Sequence, residues 1–419
     1  MSQRFRSARV RPPVRRPPAD AQAGRRLART GVLAALVIVT LGCSVGAAVA
    51  LTNSASNSAQ SSTTPTTISN ASHGATLHPG GSTNASGGFN AVSCGTAAAC
   101  VVVGADSSAN GAVATSSNSG ASFQYVTVPA STPTLNAVSC TGSSVCVAVG
   151  GNDIIRSSNG GSSWASTQLS DAGISLLAVT CQGTTLCIAG GIDEGVADPT
   201  GEDLQMQAVA YSSSDGGQTW TQGSIPMGIA GIASVVCLTS TKCIAVGSNV
   251  LVSSNSGQTW TPVGVAGGTN QLFSISCSTS SDCVAVGSNP AGTFNPNLPG
   301  DAIVTTNGGS SFTAVKLPAA TAAISDVSCA STCMAGGATG TGMSAPVFLT
   351  SSDGGSTWSA AQPPPGFGAV AGLFCPPSGS CVAVGSSGNG ASATPTTALL
   401  APKSGTWTPS PVGAGSSGT

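Results

Sequence analysis

Five carboxylates crowd into eleven residues of this chain: Asp193, Glu194, Asp198, Glu202 and Asp203, within DEGVADPTGED. Two carboxylates flanking a glycosidic bond can hydrolyse it by acid–base chemistry, and clustered carboxylates are what a hard cation such as Ca²⁺ takes. The spacing fits no defined Ca²⁺ loop, and no aromatic platform for a sugar accompanies the acids. A solvated acidic loop without a cofactor is the expectation, with Ca²⁺ as the cation it would accept. Asp301 lies in a second long connection and is the further acid assigned to the same ligand face.

Cysteine is the other reactive type. Seven local pairs use fourteen of the fifteen Cys: Cys94/Cys100, Cys140/Cys146, Cys181/Cys187, Cys237/Cys243, Cys277/Cys283, Cys329/Cys333 and Cys375/Cys381, leaving Cys43. Metal binding fits poorly, because five intervening residues is an unusual ligand spacing and both His (His73, His78) lie outside the paired region. Disulfides are expected instead, which places the region in an oxidising, extracytoplasmic compartment.

The pairs recur with a period, so a repeated element must position them. Each unit opens with an apolar strand ending in Cys, turns, and resumes with a Cys-led strand such as CVAVG. A variable connection, a third strand and a Gly-rich octet with a fourth strand follow. Seven such units predict an all-β fold, a single seven-bladed β-propeller with one intra-blade disulfide per blade. Aromatic residues are only 4% of the chain, so large side chains are few. Each cystine offsets that thin core by restricting the unfolded chain by about 2 kcal/mol.

The octets read SSDGGSTW (351–358), SSDGGQTW (213–220), SSNGGSSW (157–164), SSNSGQTW (253–260), SSNSGASF (116–123) and TTNGGSSF (305–312), with a degraded copy near 399–407. The acceptor is Asn118, Asn159, Asp215, Asn255, Asn307 or Asp353, and the Trp are Trp164, Trp220, Trp260 and Trp358. A short side-chain acceptor closes a turn, Gly permits positive φ, and the Trp opens the fourth strand with its ring buried between strands. The octet resembles the Asp-box, or BNR repeat. The chain from about residue 88 to 410 resembles the propellers of BNR sialidases, of xyloglucan-specific glycosidases with sortilin-like repeats, and of photosystem II stability/assembly factors. That resemblance implies the fold and leaves function open.

Sialidase chemistry is excluded by residue count. Those enzymes use three Arg for the substrate carboxylate, a Tyr nucleophile with a Glu partner, and an Asp acid/base. Beyond Arg29 this chain has one Arg, Arg156, two Tyr (Tyr125, Tyr211) and two Glu. The assembly-factor resemblance implies a non-enzymatic scaffold, although the Arg-rich patch of that family is missing. A glycoside hydrolase using the 193–203 carboxylates is the alternative.

Charge is split along the chain. Residues 1–30 hold nine Arg and one Asp, whereas residues 31–419 hold four cations against thirteen acids. Residues 31–51 are uncharged and long enough to span about 30 Å of hydrocarbon. Arg25, Arg26 and Arg29 just before them predict a cytoplasmic N-terminus and an extracytoplasmic propeller. Cleavage near Ala50 and secretion is the alternative. The chain divides into a basic arm (1–30), a transmembrane anchor or signal peptide (31–51), a Ser/Thr-rich linker (52–88), the propeller (89–412) and a tail (413–419).

In a four-stranded blade, the Cys turns and octets share one face. The second-to-third strand connections share the other. Those connections are minimal in blades two and four and long in blade three (191–207), blade five (287–302), blade six (337–347) and blade seven (385–397). Variable connections on a rigid frame are where binding concentrates. The expectation is a monomer whose decorated rim binds a protein or a cell-surface glycan, with no nucleic-acid partner because the propeller is nearly free of Lys and Arg. Each blade is complete in sequence, so no strand need cross the seam, and 75–79 is a candidate extra outer strand.

Overall fold

In the computed structural model the described residues are 88–197, 204–266, 271–288, 301–318, 323–339, 345–376, 380–387, 394–400 and 406–413. The candidate span 31–51, the linker piece 75–79 and the degraded octet lie wholly or partly outside them. Among the described residues no helix is long and apolar enough to cross a membrane.

Twenty-eight of the thirty strands among the described residues build seven antiparallel four-stranded blades. Blade one is β1 (Gly88–Cys94), β2 (Cys100–Ala105), β3 (Gly111–Ser116) and β4 (Phe123–Val126). Blade two runs from β5 (Ala137–Thr141) through β6 (Val145–Gly150) and β7 (Asp153–Ser157) to β8 (Ala165–Gln168). In blade three, β9 (Ile174–Gln182), β10 (Leu186–Ala197) and β11 (Leu204–Ser213) are long, and β12 is only Thr221–Gln222. Blade four comprises β13 (Ile232–Cys237), β14 (Cys243–Gly247), β15 (Val250–Ser253) and β16 (Thr261–Val263), followed by β17 (Val265–Ala266). Blade five is β18 (Gln271–Cys277), β19 (Cys283–Ser288), β20 (Asp301–Thr305) and β21 (Phe312–Lys316). Blade six is β22 (Ala323–Cys329), β23 (Cys333–Thr339), β24 (Ala345–Ser351) and β25 (Ser359–Ala360). Blade seven is β26 (Ala369–Phe374), β27 (Cys381–Ser387), β28 (Thr394–Leu400) and β29 (Trp407–Pro409), and the last described strand is β30 (Val412–Gly413).

The second strands read as unbroken apolar runs because neighbouring blades cover both of their faces. β6 (VCVAVG) is buried at every position. The core therefore lies between blades. One cluster joins blades one and two through Val101, Val113, Leu135 and Ile155, and equivalent clusters fill the five following interfaces. The seventh closes the ring, packing Phe89, Val102 and Phe123 of blade one against Val382 and Val384 of blade seven.

All seven expected cystines form: Cys94–Cys100, Cys140–Cys146, Cys181–Cys187, Cys237–Cys243, Cys277–Cys283, Cys329–Cys333 and Cys375–Cys381. All but the last join residues directly opposite in the first and second strands. Cys375 instead follows the end of β26.

Cys146 and Cys187 correct the expectation that every second strand is Cys-led. β6 starts at Val145 and β10 at Leu186, so each Cys is the second residue of its strand. The ladder runs one pair past the cystine, to Thr141↔Val145 and Gln182↔Leu186. The reason is the residue before the Cys. Val145 and Leu186 are large and apolar and become buried in the sheet, whereas the small Ala99 of blade one and Lys242, Asp282, Thr332 and Ser380 of the last four blades hold that place and stay outside the strands.

The seam corrects the expectation that no strand crosses it. β30 lies parallel to β4, with Val412 opposite Phe123, and the Phe123 N–H donates to Pro411 O at 2.9 Å. The fifth strand of blade one thus comes from the C-terminal end of the chain. The same crossing occurs inside the ring: β17 pairs in parallel with β21 of blade five, and Ser224 bridges Thr259 between blades three and four. In these two places the exit segment touches the octet end of the next blade, and closure repeats the arrangement. The arrangement was hidden in the sequence because two-residue strands carry no periodicity.

Candidate functional site

The octets act as turn locks. In each described copy a Ser or Thr hydroxyl (Ser116, Ser157, Ser213, Ser253, Thr305, Ser351) donates to the Asn or Asp Oδ1, as in Ser351 to Asp353 at 2.8 Å. The same hydroxyl oxygen accepts from the N–H of the second Gly position. A third bond distinguishes Asn from Asp. The Asn Nδ2 donates to the Ser or Thr hydroxyl four residues on, whereas Thr219 and Thr357 donate their hydroxyls to Asp215 and Asp353 at 2.6 Å. A hydroxyl that rotates serves either residue. The Thr357 hydroxyl and backbone N–H hold the Asp353 carboxyl down at about 2. Asp215 is lowered further, chiefly by Thr219.

The structure specifies which strands the Trp rings lie between. Trp164, Trp220, Trp260 and Trp358 sit one residue before the fourth strand. They pack into the interfaces with the preceding blade. Each indole N–H donates to the carbonyl of the second Gly position. Arg156, read beside its own octet, donates through Nε to Gly216 O of the next blade at 2.7 Å. The one non-terminal Arg is thus part of the frame.

The Cys turn and octet of a blade share one face, as expected. The Gly160 N–H donates to Ser144 O and the Gly216 N–H to Thr185 O, each bonding octet to Cys turn. On the opposite face, blades two and four turn in two residues, at 151–152 and 248–249. Blade three differs: β10 and β11 continue as a paired hairpin arm to Ala197↔Leu204. Strand pairing thus reaches well into the long connection 191–207.

Asp193 lies on this arm, and its Oδ1 accepts from the Gly195 N–H at 2.8 Å. Glu194 is exposed, and its N–H donates to Gly173 O. Burial, then the charges of Asp171 and Asp193, raise the Tyr211 phenol. Asp198, Glu202 and Asp203 lie outside the described residues. Asp301 begins β20 in blade five, in register with Lys316, and blade four stands between it and the arm. Among the described residues no three His, Cys, Asp or Glu side chains gather as metal ligands.

Sequence reasoning missed the central channel. The first strands are bulged, and the extra residue of each faces the axis: Asn90, Leu177, Ala233, Phe273, Ser325 and Ala371. Asn136 takes the corresponding place in blade two, and the channel they line holds about 200 Å³. Next to the bulges, side chains fasten several first strands to the next. Ser93 accepts from the Cys140 N–H, Ser139 from Cys181, Ser276 from Cys329 and Ser328 from Cys375, all at 2.9 Å. The recurrent Ser before Cys was the available signal.

Asp326 is the ionisable member of this fastening set. It takes the Ser274 hydroxyl of blade five, its own Val327 N–H at 2.9 Å and the Leu373 N–H of blade seven at 2.6 Å. Some of its surface lines the channel, but its carboxylate is sunk in the ring wall. Desolvation there outweighs the three donors and pushes it up to about 6.

The chain matches no protein-family model and no curated protein. Solved structures share its architecture. YCF48 from Cyanidioschyzon merolae is 16% identical, with 76% of this chain and 97% of that one covered at a TM-score of 0.52. An ancestral GH74 enzyme is 15% identical, with 81% of this chain covered at a TM-score of 0.57. This chain spans about half of that enzyme, 48% of its length. The RRP9 WD40 repeats are 9% identical, covered over 74% and 92% at a TM-score of 0.53. At such identities the likeness establishes the seven-bladed propeller fold.

Proposed function

We propose that this protein is a non-catalytic member of the Asp-box propeller group, tethered by residues 31–51 with its propeller outside the cytoplasm. There it holds a protein or a cell-wall glycan on the face of the second-to-third strand connections. The carrying observation is the unequal projection of those connections. A strand-paired arm stands on blade three, while blades two and four turn in two residues. A ring fastened blade to blade supplies the rigid frame on which such projections select a ligand. The seven cystines fit an oxidising compartment, and the uncharged stretch after Arg25, Arg26 and Arg29 fits the tether.

The test uses the full chain in nanodiscs under non-reducing conditions, presented with a glycan array and with cell-envelope fractions, with and without Ca²⁺. Selective capture is expected. It is expected to disappear when 191–207 and 287–302 are replaced by short turns, with the melting transition preserved. Capture that survives the replacement would sink the reading. Release of reducing sugar, lost in Asp198→Asn or Glu202→Gln, would replace it by glycan hydrolysis.

A further inference from the structure

One large apolar side chain stands out among the described residues of this face. Met227 is 68% exposed, whereas the other large apolar side chains described are buried or half-buried. It lies on the segment from blade three to blade four, in a tight turn where Gly228 takes φ +85°. That sign of φ favours Gly at the third position of a type II turn. The turn is held from the arm. Gln207 Nε2 donates to Pro226 O at 3.1 Å, and the Gly228 N–H donates to Gln207 Oε1 at 3.2 Å. The backbone of the segment is also pinned, because the Ala208 N–H donates to Ile229 O at 2.7 Å.

A single exposed apolar residue usually needs no explanation. This one is presented by a turn gripped from both sides, so little conformational entropy remains to be lost when a partner covers it. Met is also suited to such a role, since its flexible thioether adapts to an irregular recess. The surroundings set the charge of the partner. Asp193 is the cross-strand neighbour of Gln207, Glu194 beside it is exposed, and Asp171 lies close enough to raise Tyr211 together with Asp193. No Lys or Arg occurs between Arg156 and Lys242, so blade three carries no cation to neutralise them.

We propose that the turn 226–228, gripped by Gln207, is the anchor of a protein interface in which Met227 enters an apolar recess on a basic partner surface. The inference rests on the binding face proposed above and deepens it by naming a protein, rather than a glycan, of defined charge. The acidic flank steers the basic partner and sets the salt dependence. Met227 supplies the buried anchor.

The test probe is a fluorescent peptide of alternating Lys and Leu, titrated against the full chain in neutral-lipid nanodiscs, with Glu/Leu and Lys/Ser peptides as controls. Binding of the Lys/Leu peptide is expected, weaker at high salt, and about tenfold weaker in Met227→Ser, in line with loss of an anchor residue. Both control peptides should bind at least as weakly as that. Peroxide oxidation of Met227, mapped by mass spectrometry, should slow when the Lys/Leu peptide is bound. Gln207→Ala frees the turn and should weaken binding without altering the melting temperature. Equal binding by Met227→Ser, or no binding of the Lys/Leu peptide, would overturn the inference. The envelope-capture experiment separates the two claims. If capture needs the arm but ignores Met227→Ser, only the Met227 anchor fails; if capture ignores the arm, the face itself fails.

Discussion

Asp326 shows how a single residue couples the ring to pH. A carboxyl raised to about 6 in the fold, against an ordinary value of 3.8, keeps its proton in the native state over a range where the unfolded chain has lost it. Stability contributed by this group is therefore full below about pH 4, falls as pH rises to about 6, and is flat above. Melting temperatures of the wild type should decline across that window, and Asp326→Asn should flatten the decline. An unchanged slope in the variant would remove Asp326 as its source. The octets act in the opposite sense. Asp353, held at about 2, stabilises the fold above its ordinary value and loses that contribution only in strong acid.

At the same scale, Gly355 is fixed by two independent demands. Its φ is +89°, and a Cβ there would lie 2.3 Å from Val284 Cγ2 of the preceding blade. Gly355→Ala should cost about 2–4 kcal/mol in urea unfolding, from backbone strain plus overpacking. In a Val284→Ala background the overpacking part should vanish, so a double-mutant cycle would separate the two causes. The same Val or Ile recurs one residue after the second Cys of six blades. Blade six has Met334 there instead, buried with Phe348 and Trp407 at the interface where blade seven's octet has decayed.

At the scale of the element, the blade was legible and its boundary was not. Cys spacing, Gly-rich octets and apolar CVAVG-type strands repeat visibly, because each encodes local geometry. Even so, Cys146 and Cys187 do not open their strands, since Val145 and Leu186 extend the pairing by one residue. The connection 191–207 misled, because its polar, Gly-containing composition resembles a loop while its backbone pairs as strands. The seam was also invisible, since β30 is two residues long. Deleting residues 411–419 should strip the parallel strand from blade one and expose Phe123 at the blade one–seven interface. A lower melting temperature with faster hydrogen exchange confined to blades one and seven is the expected outcome. Uniform exchange would show that β30 is not a closure element.

At the scale of the whole molecule, stability comes from seven interfaces around a narrow channel, with few large side chains and seven short cystine loops. Each cystine closes a loop with sequence separation four or six, worth about 2 kcal/mol on the chain-entropy view. The contributions are not strictly additive, but together they are comparable to the net stability of a domain. The oxidised chain should refold from urea, and the fully reduced chain should not regain the native circular dichroism spectrum. Refolding of the reduced chain would mean that the interfaces suffice alone.

The class of fold, the number of blades, the seven cystines and the turn role of the octets are all legible in the residues alone. Those features depend on neighbours within some fifty residues, and a repeat prints them seven times. An Arg triad is also excluded by simple count. Which blades the octet Trp rings lie between, the bond from Arg156 to the next blade, the joining of blades five, six and seven by Asp326 and the closure of the first blade by the last described strand emerge from the packed ring. Each of these depends on which face of one blade meets its neighbour, a relation between residues about fifty apart, or nearly three hundred apart at the seam. No local period records it. The arm and the Met227 turn belong to the same class, since the grip of Gln207 on residues 226–228 exists only once blade three has folded back upon its own exit.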